Sequence, residues 1–303
     1  EVALCSLAAI IVPNIKSEEE YRSACYYALK MIGKCIHMAD YALPHVGWTA
    51  KQRMSAGVGL VGVAYALAKK GIRYNTQEGF DEIHRMAERH SYHLIEASLQ
   101  IARETQVAPW IHKTKWIEGW LPIDTYKKNV DKITNVPLQY DWEDLRRRII
   151  ENGGIAHSSL VAHMPTESSS KPAGVPNGLY PIRELSIKKS DQTNVIDWVA
   201  VDGDILKDKY QSAWDIPTKD LIKVYAIFQK FCDQAISADF YKDRTKDINV
   251  SDSEMLEEYL DMVRYGMKTR YYQNSRVSNV QDSDDTSSSQ SQDRGCSGGA
   301  CDV

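Results

Sequence analysis

The chain opens on a continuous apolar run, Val2–Val12, that tolerates β structure and is ended by Pro13. Ser17 with Glu20 forms a capping box, which predicts a helix to about Ala42. Lys51–Lys70 reads as a second helix stopped by Gly71. It contains Gly57-x-Gly59-x-x-Gly62, the spacing of a dinucleotide fingerprint. No strand is expected before it, and Ala, Leu and Tyr continue at helical spacing, so the glycines read as close helix packing rather than a nucleotide site. A long amphipathic helix follows over Gln77–Thr105, with apolar and aromatic residues every three or four positions. Val107–Leu138 is loop-rich, punctuated by Pro109, Pro122 and Pro137 and anchored by Trp110, Trp116 and Trp120. Asp141 is placed to cap a helix that ends at Gly153-Gly154.

The texture then changes. His157–Met164 and Ile182–Lys188 are β-like runs, Thr218–Asp233 a helix and Ala235–Phe240 a strand. Ser251–Met267 reads as a helix and Thr269–Asn274 as a last strand. Strands alternating with helices predict parallel βα units and an α/β, helix-rich fold. No internal repeat is visible, and the ordered part is expected to end near Arg276.

Composition narrows the classes. The 303 residues suffice for one large domain or two ordinary ones, and 43% hydrophobic residues support a real core. Lys plus Arg is 37 and Asp plus Glu 41, so a net charge of -4 gives no broad attraction to nucleic acid or membrane. The longest apolar runs, Val2–Val12 and Ala56–Ala68, are too short to span a bilayer. Val2–Val12 lacks the basic leader of a signal peptide. Six cysteines are far below disulfide-scaffold density and suit a reducing, cytoplasmic setting. The absence of an initial Met leaves open a processed chain or part of something longer.

Four places are candidates for chemistry. Cys296 and Cys301 lie five positions apart with only small residues between them, behind a Ser-, Asp- and Gln-rich stretch from Val277 to Arg294. Such a stretch cannot bury enough apolar surface to offset its ordering entropy, so 277–303 is expected to be a flexible tail. From Val277 to Gly295 a random coil spans roughly 24 Å and stretches to about 65 Å. A swinging redox dithiol fits it best. A metal site would want more ligands, and incidental cysteines remain an alternative. Met164-Pro165-Thr166-Glu167-Ser168-Ser169-Ser170 follows a strand and offers hydroxyls to a phosphate, although an ordinary capped turn has the same pattern. Glu167 is odd for a pure anion site. Tyr271-Tyr272 either alternate in and out of a strand or stack as redox phenols, which requires the backbone to leave regular β geometry. Cys5, in an apolar run, reads as a small buried hydrophobe, and Cys25, Cys35 and Cys232 as structural. His84, His90 and His93 show no ligand pattern and read as packed or solvated.

Several of these pieces occur together in one family. Glu1–Cys5, Leu121–Tyr126, Tyr140–Glu143, Met164–Ser170, Tyr271–Arg276 and the terminal Cys-x4-Cys resemble, in order, the class I ribonucleotide reductase large (catalytic, alpha) subunit. The likeness is weaker around Lys171–Pro176, Asp191–Thr218 and Lys242–Val250. It implies that residues 1–276 form the C-terminal part of a ten-stranded α/β barrel. It implies reduction of ribonucleoside diphosphates to deoxyribonucleoside diphosphates by a thiyl radical, with two further thiols becoming a disulfide. Cys5 matches one thiol of that pair. Thr166, Glu167, Ser168 and Ser169 match the loop holding the substrate diphosphate. Tyr271 and Tyr272 match the phenols that carry the radical from a metal-containing small subunit, and Cys296 and Cys301 the tail pair that re-reduces the active site. Thioredoxin or glutaredoxin would reduce the tail, and no cofactor is expected on this chain.

The family's thiyl loop, the second active-site thiol and the allosteric sites precede the position of Glu1. The chain alone is therefore expected to be inactive, as a split subunit completed by an N-terminal partner or as a piece of a longer chain. Exposed strand edges would also call for a stable partner. The Ser251–Met267 helix, with Met255, Leu256, Tyr259, Leu260 and Met262, either joins the groove for the small subunit's C-terminal peptide or packs against the barrel. A thiol–disulfide carrier or adaptor with a mobile dithiol tail is the rival expectation, and a purely structural scaffold piece a third.

Overall fold

One residue beyond Cys5 the first strand begins. In the computed structural model, which describes residues 1–190, 195–245 and 251–276, β1 (Ser6–Ile11) ends in a short 3-10 turn at Pro13. The expected tail with Cys296 and Cys301 lies outside the described residues. α1 (Glu18–Met38) starts on the predicted Ser17 cap, whose Oγ accepts from the Glu20 amide at 3.1 Å, but the Glu20 carboxylate accepts from the Lys16 amide at 2.8 Å rather than from the Ser17 amide that a capping box would use. α1 stops at Met38 rather than Ala42, and α2 (Pro44–Arg53) follows with Pro in its first turn.

The single helix expected over Lys51–Lys70 does not form. α2 closes at Arg53 with Met54 left-handed (φ 50°), β2 (Ser55–Val61) runs next, and Gly62 (φ 81°) turns the chain into α3 (Val63–Lys70). The reason is close packing. A Cβ on Gly57 would lie 2.6 Å from Leu7 Cδ2, 2.8 Å from Cys5 Sγ and 2.9 Å from Ala162 Cβ. One on Gly59 would lie 2.7 Å from Ala162 O and 2.8 Å from Met164 Sδ. Two bare positions at i and i+2 share one face of a strand, while buried Val58 and Leu60 take the other.

α4 (Gln77–Glu104) is the central helix, started by Thr76 Oγ1 accepting from the Gly79 amide. It packs against α1, and its residues are buried along most of its length, the predicted histidines His84, His90 and His93 included. His90 is packed rather than solvated: its ring nitrogens meet Tyr21 Oη and Val58 O, each at 2.9 Å. The loop-rich segment holds short 3-10 turns, with Trp116 buried and its indole N–H donating to Ser158 O at 3.0 Å. α5 (Trp142–Asn152) has Asp141 as its cap and left-handed Gly153 as its end, as predicted.

β3 (Ser159–Val161) then adds to β2, α6 (Glu167–Ser170) makes one turn, and β4 (Ser186–Ser190) pairs antiparallel with β5 (Val195–Val199). α7 (Gly203–Leu206), α8 (Thr218–Lys230), β6 (Asp239–Asp243), α9 (Asp252–Tyr265) and β7 (Tyr272–Arg276) complete the described chain. β6 and β7 each begin a few residues later than the sequence suggested. β1, β2 and β3 are parallel neighbours, and β6 and β7 pair in parallel from Asp239↔Tyr272 to Asp243↔Arg276. Among the described residues one parallel bridge, His163↔Ile236, joins the two sets. The wall therefore reads β1-β2-β3-β6-β7, all parallel, with helical crossovers between successive strands, as an α/β barrel requires.

Candidate functional site

Cys5 sits just ahead of β1 and is exposed, not buried as its apolar neighbours suggested. Its thiol packs over Gly57 and donates to Gln234 Oε1 at 3.6 Å. Gln234 is held in turn by its amide, which donates to Ala56 O at 2.9 Å. Desolvation pushes the Cys5 thiol up, and the Asp233 carboxylate adds to the rise. At neutral pH both effects keep this residue a protonated thiol. Asp233 is itself pushed up to about 6 by burial, although it accepts from the amides of Leu160 (2.9 Å) and Val161 (2.7 Å). Cys25 and Cys232 are buried, which pushes both thiols up, whereas Cys35 is exposed on α1.

The hydroxyl-rich stretch is a built turn. Asn177 Oδ1 accepts from the Thr166 amide at 2.6 Å and from Thr166 Oγ1 at 3.1 Å, and Thr166 Oγ1 accepts from the Gly178 amide at 2.8 Å. Asn177 Nδ2 donates to Glu167 Oε1 at 3.4 Å. The same loop reaches α3, where the Gly62 and Val63 amides donate to Pro176 O and Gly178 O. Thr166 is buried, Glu167 half-buried, and Ser168 and Ser169 exposed. Asn177 was not singled out from the sequence; the Asn-Gly pair that marks a turn was its only local sign.

Tyr272 opens β7 and Tyr271 stands just before it. Their rings meet edge-on, with centroids 4.3 Å apart. Regular β alternation would send them to opposite faces. Here both amides converge on one acceptor, Ala238 O, at 3.2 and 3.1 Å, so the backbone departs from the ladder and brings the phenols together. Tyr180 links this pair to the turn. Its buried hydroxyl donates to Ser237 O at 2.6 Å, and burial first, then Asp239, Tyr272, Glu167 and Tyr271, hold its pKa well up. Tyr271, Tyr272 and Glu167 thus share one neighbourhood.

On α9, Met255, Leu256, Tyr259 and Leu260 are exposed and Val263 extends the face, while Met262 turns into the core. Of the two alternatives left open for this face, Met262 takes the packed one, while the other four are exposed. Among the described residues no cluster of His, Cys, Asp and Glu could hold a metal ion, and no helix is long and apolar enough to cross a membrane. A cleft of about 470 Å³ between α8, β6 and α9 shares none of the residues expected to touch substrate.

Residues 1–273 match the family model of the ribonucleotide reductase barrel domain. The chain belongs to that family. It is 36% identical over 306 residues to the ribonucleoside-diphosphate reductase subunit alpha of Haemophilus influenzae, covering 100% of this chain and 40% of that protein. It is 38% identical over 267 residues to the ribonucleoside-diphosphate reductase 1 subunit alpha of Escherichia coli, covering 87% of this chain and 35% of that protein. The Buchnera aphidicola (subsp. Acyrthosiphon pisum) subunit alpha is 33% identical over 304 residues, 99% of this chain and 40% of its own length. The chain thus spans about two fifths of these relatives. As part of a ribonucleotide reductase barrel, the five-strand arc places Cys5, the Thr166 turn and the tyrosine pair on strands and turns of one wall.

Proposed function

We propose that this chain supplies four working parts to a ribonucleotide reductase catalytic subunit. Cys5 is one thiol of the active-site pair. Thr166, Glu167, Ser168 and Ser169 hold the diphosphate of a ribonucleoside diphosphate. Tyr271 and Tyr272 pass the radical inward. Cys296 and Cys301 re-reduce the active-site disulfide and are themselves reduced by thioredoxin or glutaredoxin in the cytoplasm. A thiyl radical on the N-terminal part of the subunit takes the 3′-hydrogen. The 2′-hydroxyl leaves as water, and Cys5 and its partner thiol give two electrons and become a disulfide. The metal stays on the small subunit, which generates the radical and docks its C-terminal peptide on the α9 face.

The observation that carries this reading is Cys5 itself, a protonated and accessible thiol over the bare strand face of Gly57. The test is nucleotide reduction. The chain alone is expected to give none, and adding the N-terminal part and the small subunit is expected to give turnover. Tail exchange with a disulfide that ignores nucleotide, with no reduction in the full mixture, would favour a thiol–disulfide carrier instead.

A further inference from the structure

The stretch Lys268–Tyr272 is stitched to the barrel wall at every residue but one. Lys268 Nζ donates to the carbonyls of Asp233 (2.8 Å) and Gln234 (3.0 Å), and Thr269 Oγ1 to Ile236 O at 2.6 Å. The amides of Tyr271 and Tyr272 share Ala238 O. Arg270 reaches α9 instead, and its guanidinium also donates to Gln273 Oε1 on β7. Its guanidinium lies 4.7 Å from the Phe240 ring on β6 and 5.1 Å from the Tyr259 ring on α9. It also faces the Glu258 carboxylate at 3.6 Å, where Glu258 is 1% exposed. Glu258 is shared: its other oxygen takes Lys242, which also donates to Glu254 at 2.7 Å. Arg270 is thus wedged between a core ring and a ring of the exposed docking face, one residue before Tyr271.

We infer that Arg270 is a positioning residue that ties the α9 face to the tyrosine pair. This rests on the radical-transfer reading of Tyr271 and Tyr272. A partner seated on α9 presses on Tyr259, Tyr259 on the flat guanidinium, and the guanidinium fixes where the backbone delivers the Tyr271 phenol. Arg270→Leu is the informative change. It leaves Lys242 on the Glu258 carboxylate, so that buried charge loses one of its two cations and not both, and leucine fills the space between two rings.

With 3-fluorotyrosine at position 271, the full chain carrying Arg270→Leu is expected to show a shifted, broadened 19F resonance and an unchanged melt of the helices. In the complete assembly kcat is expected to fall about ten- to hundredfold, the cost of a misplaced reacting group. Affinity for the small subunit and KM are expected to stay within about twofold. An unchanged resonance with wild-type kcat overturns the inference. So does a fall in kcat matched by an equal loss of small-subunit affinity, which would make Arg270 a docking contact only. Tyr271→Phe is the control on the reading beneath it. If that variant turns over normally, the radical role of the pair fails, and the resonance of Arg270→Leu still decides what Arg270 positions.

Discussion

Asn177 offers the clearest perturbation of the proposed substrate loop. Its Oδ1 holds the Thr166 amide at 2.6 Å and the Thr166 hydroxyl at 3.1 Å, and Thr166 is buried. Asn177→Ala removes both bonds and leaves a buried amide without an acceptor. At about 1–1.5 kcal/mol each, the two bonds contribute roughly 2–3 kcal/mol to the order of the Thr166–Ser169 turn. If the diphosphate binds only the ordered turn, that cost appears as a roughly 30- to 150-fold weaker affinity for ribonucleoside diphosphate. Asn177→Asp keeps both acceptor contacts but places a second carboxylate beside Glu167, so it should recover the fold of the turn and only part of the affinity. The assay is the KM for the diphosphate in the complete assembly, with thermal unfolding as the control on folding. Equal KM values for Asn177→Ala and the unchanged chain would refute the claim that this clamp presents the loop to substrate.

Three further outcomes follow from the same geometry. Glu88 Oε1 accepts from the Gln139 amide (2.7 Å), the Tyr140 amide (3.3 Å) and the Trp142 indole (3.0 Å), so Glu88→Leu should cost about 3–5 kcal/mol in urea unfolding. Burial already raises the pKa of Glu88, so the neutral Glu88→Gln should stay within about 1 kcal/mol, and a similar loss in both would contradict this. His84, His90 and His157 are each lowered to about 4, mainly by burial, so each gives stability above pH 6.5 that is lost as the pH falls towards 4. Asp233 and Asp239, raised to about 6, act oppositely: the stability they give below pH 3.8 is lost as the pH rises to 6. His163, which burial also lowers, joins these histidines against Asp233, Asp239 and Glu88, so stability is expected to fall from pH 6.5 to 4, and unfolding free energies that stay flat over that range would contradict that balance. Gly57→Ala overpacks Cys5, Leu7 and Ala162, and should cost about 1–3 kcal/mol and slow labelling of the Cys5 thiol; unchanged labelling would argue against the close approach.

The helices were largely legible because their ends are written locally. Ser17 and Asp141 supply the caps, and Gly153 adopts the left-handed end the sequence signalled. β2 was not legible, because Gly57 and Gly59 give its inner face no side chains from which an alternation can be read. Only the atoms of Leu7, Ala162 and Met164, far away in the chain, make glycine necessary there. The tyrosines were visible as residues, but their edge-on contact depends on Ala238 O accepting two successive amides, which no local pattern announces. The same holds for Cys5: its apolar neighbours suggest burial, and its exposure is decided by where β1 begins. Asn177, Gln234 and Tyr180 went unmarked because each acts on a segment distant in sequence.

The central claim is that Cys5 belongs to the dithiol that reduces the nucleotide and that the tail restores it. The most direct measurement counts deoxyribonucleoside diphosphate formed by the pre-reduced complete assembly when external reductant is withheld. Each product consumes two electrons, one dithiol. The account predicts about two products per chain for the unchanged protein, about one when Cys296 and Cys301 are both changed to Ser, and none for Cys5→Ser. Continued product formation by Cys5→Ser would contradict it.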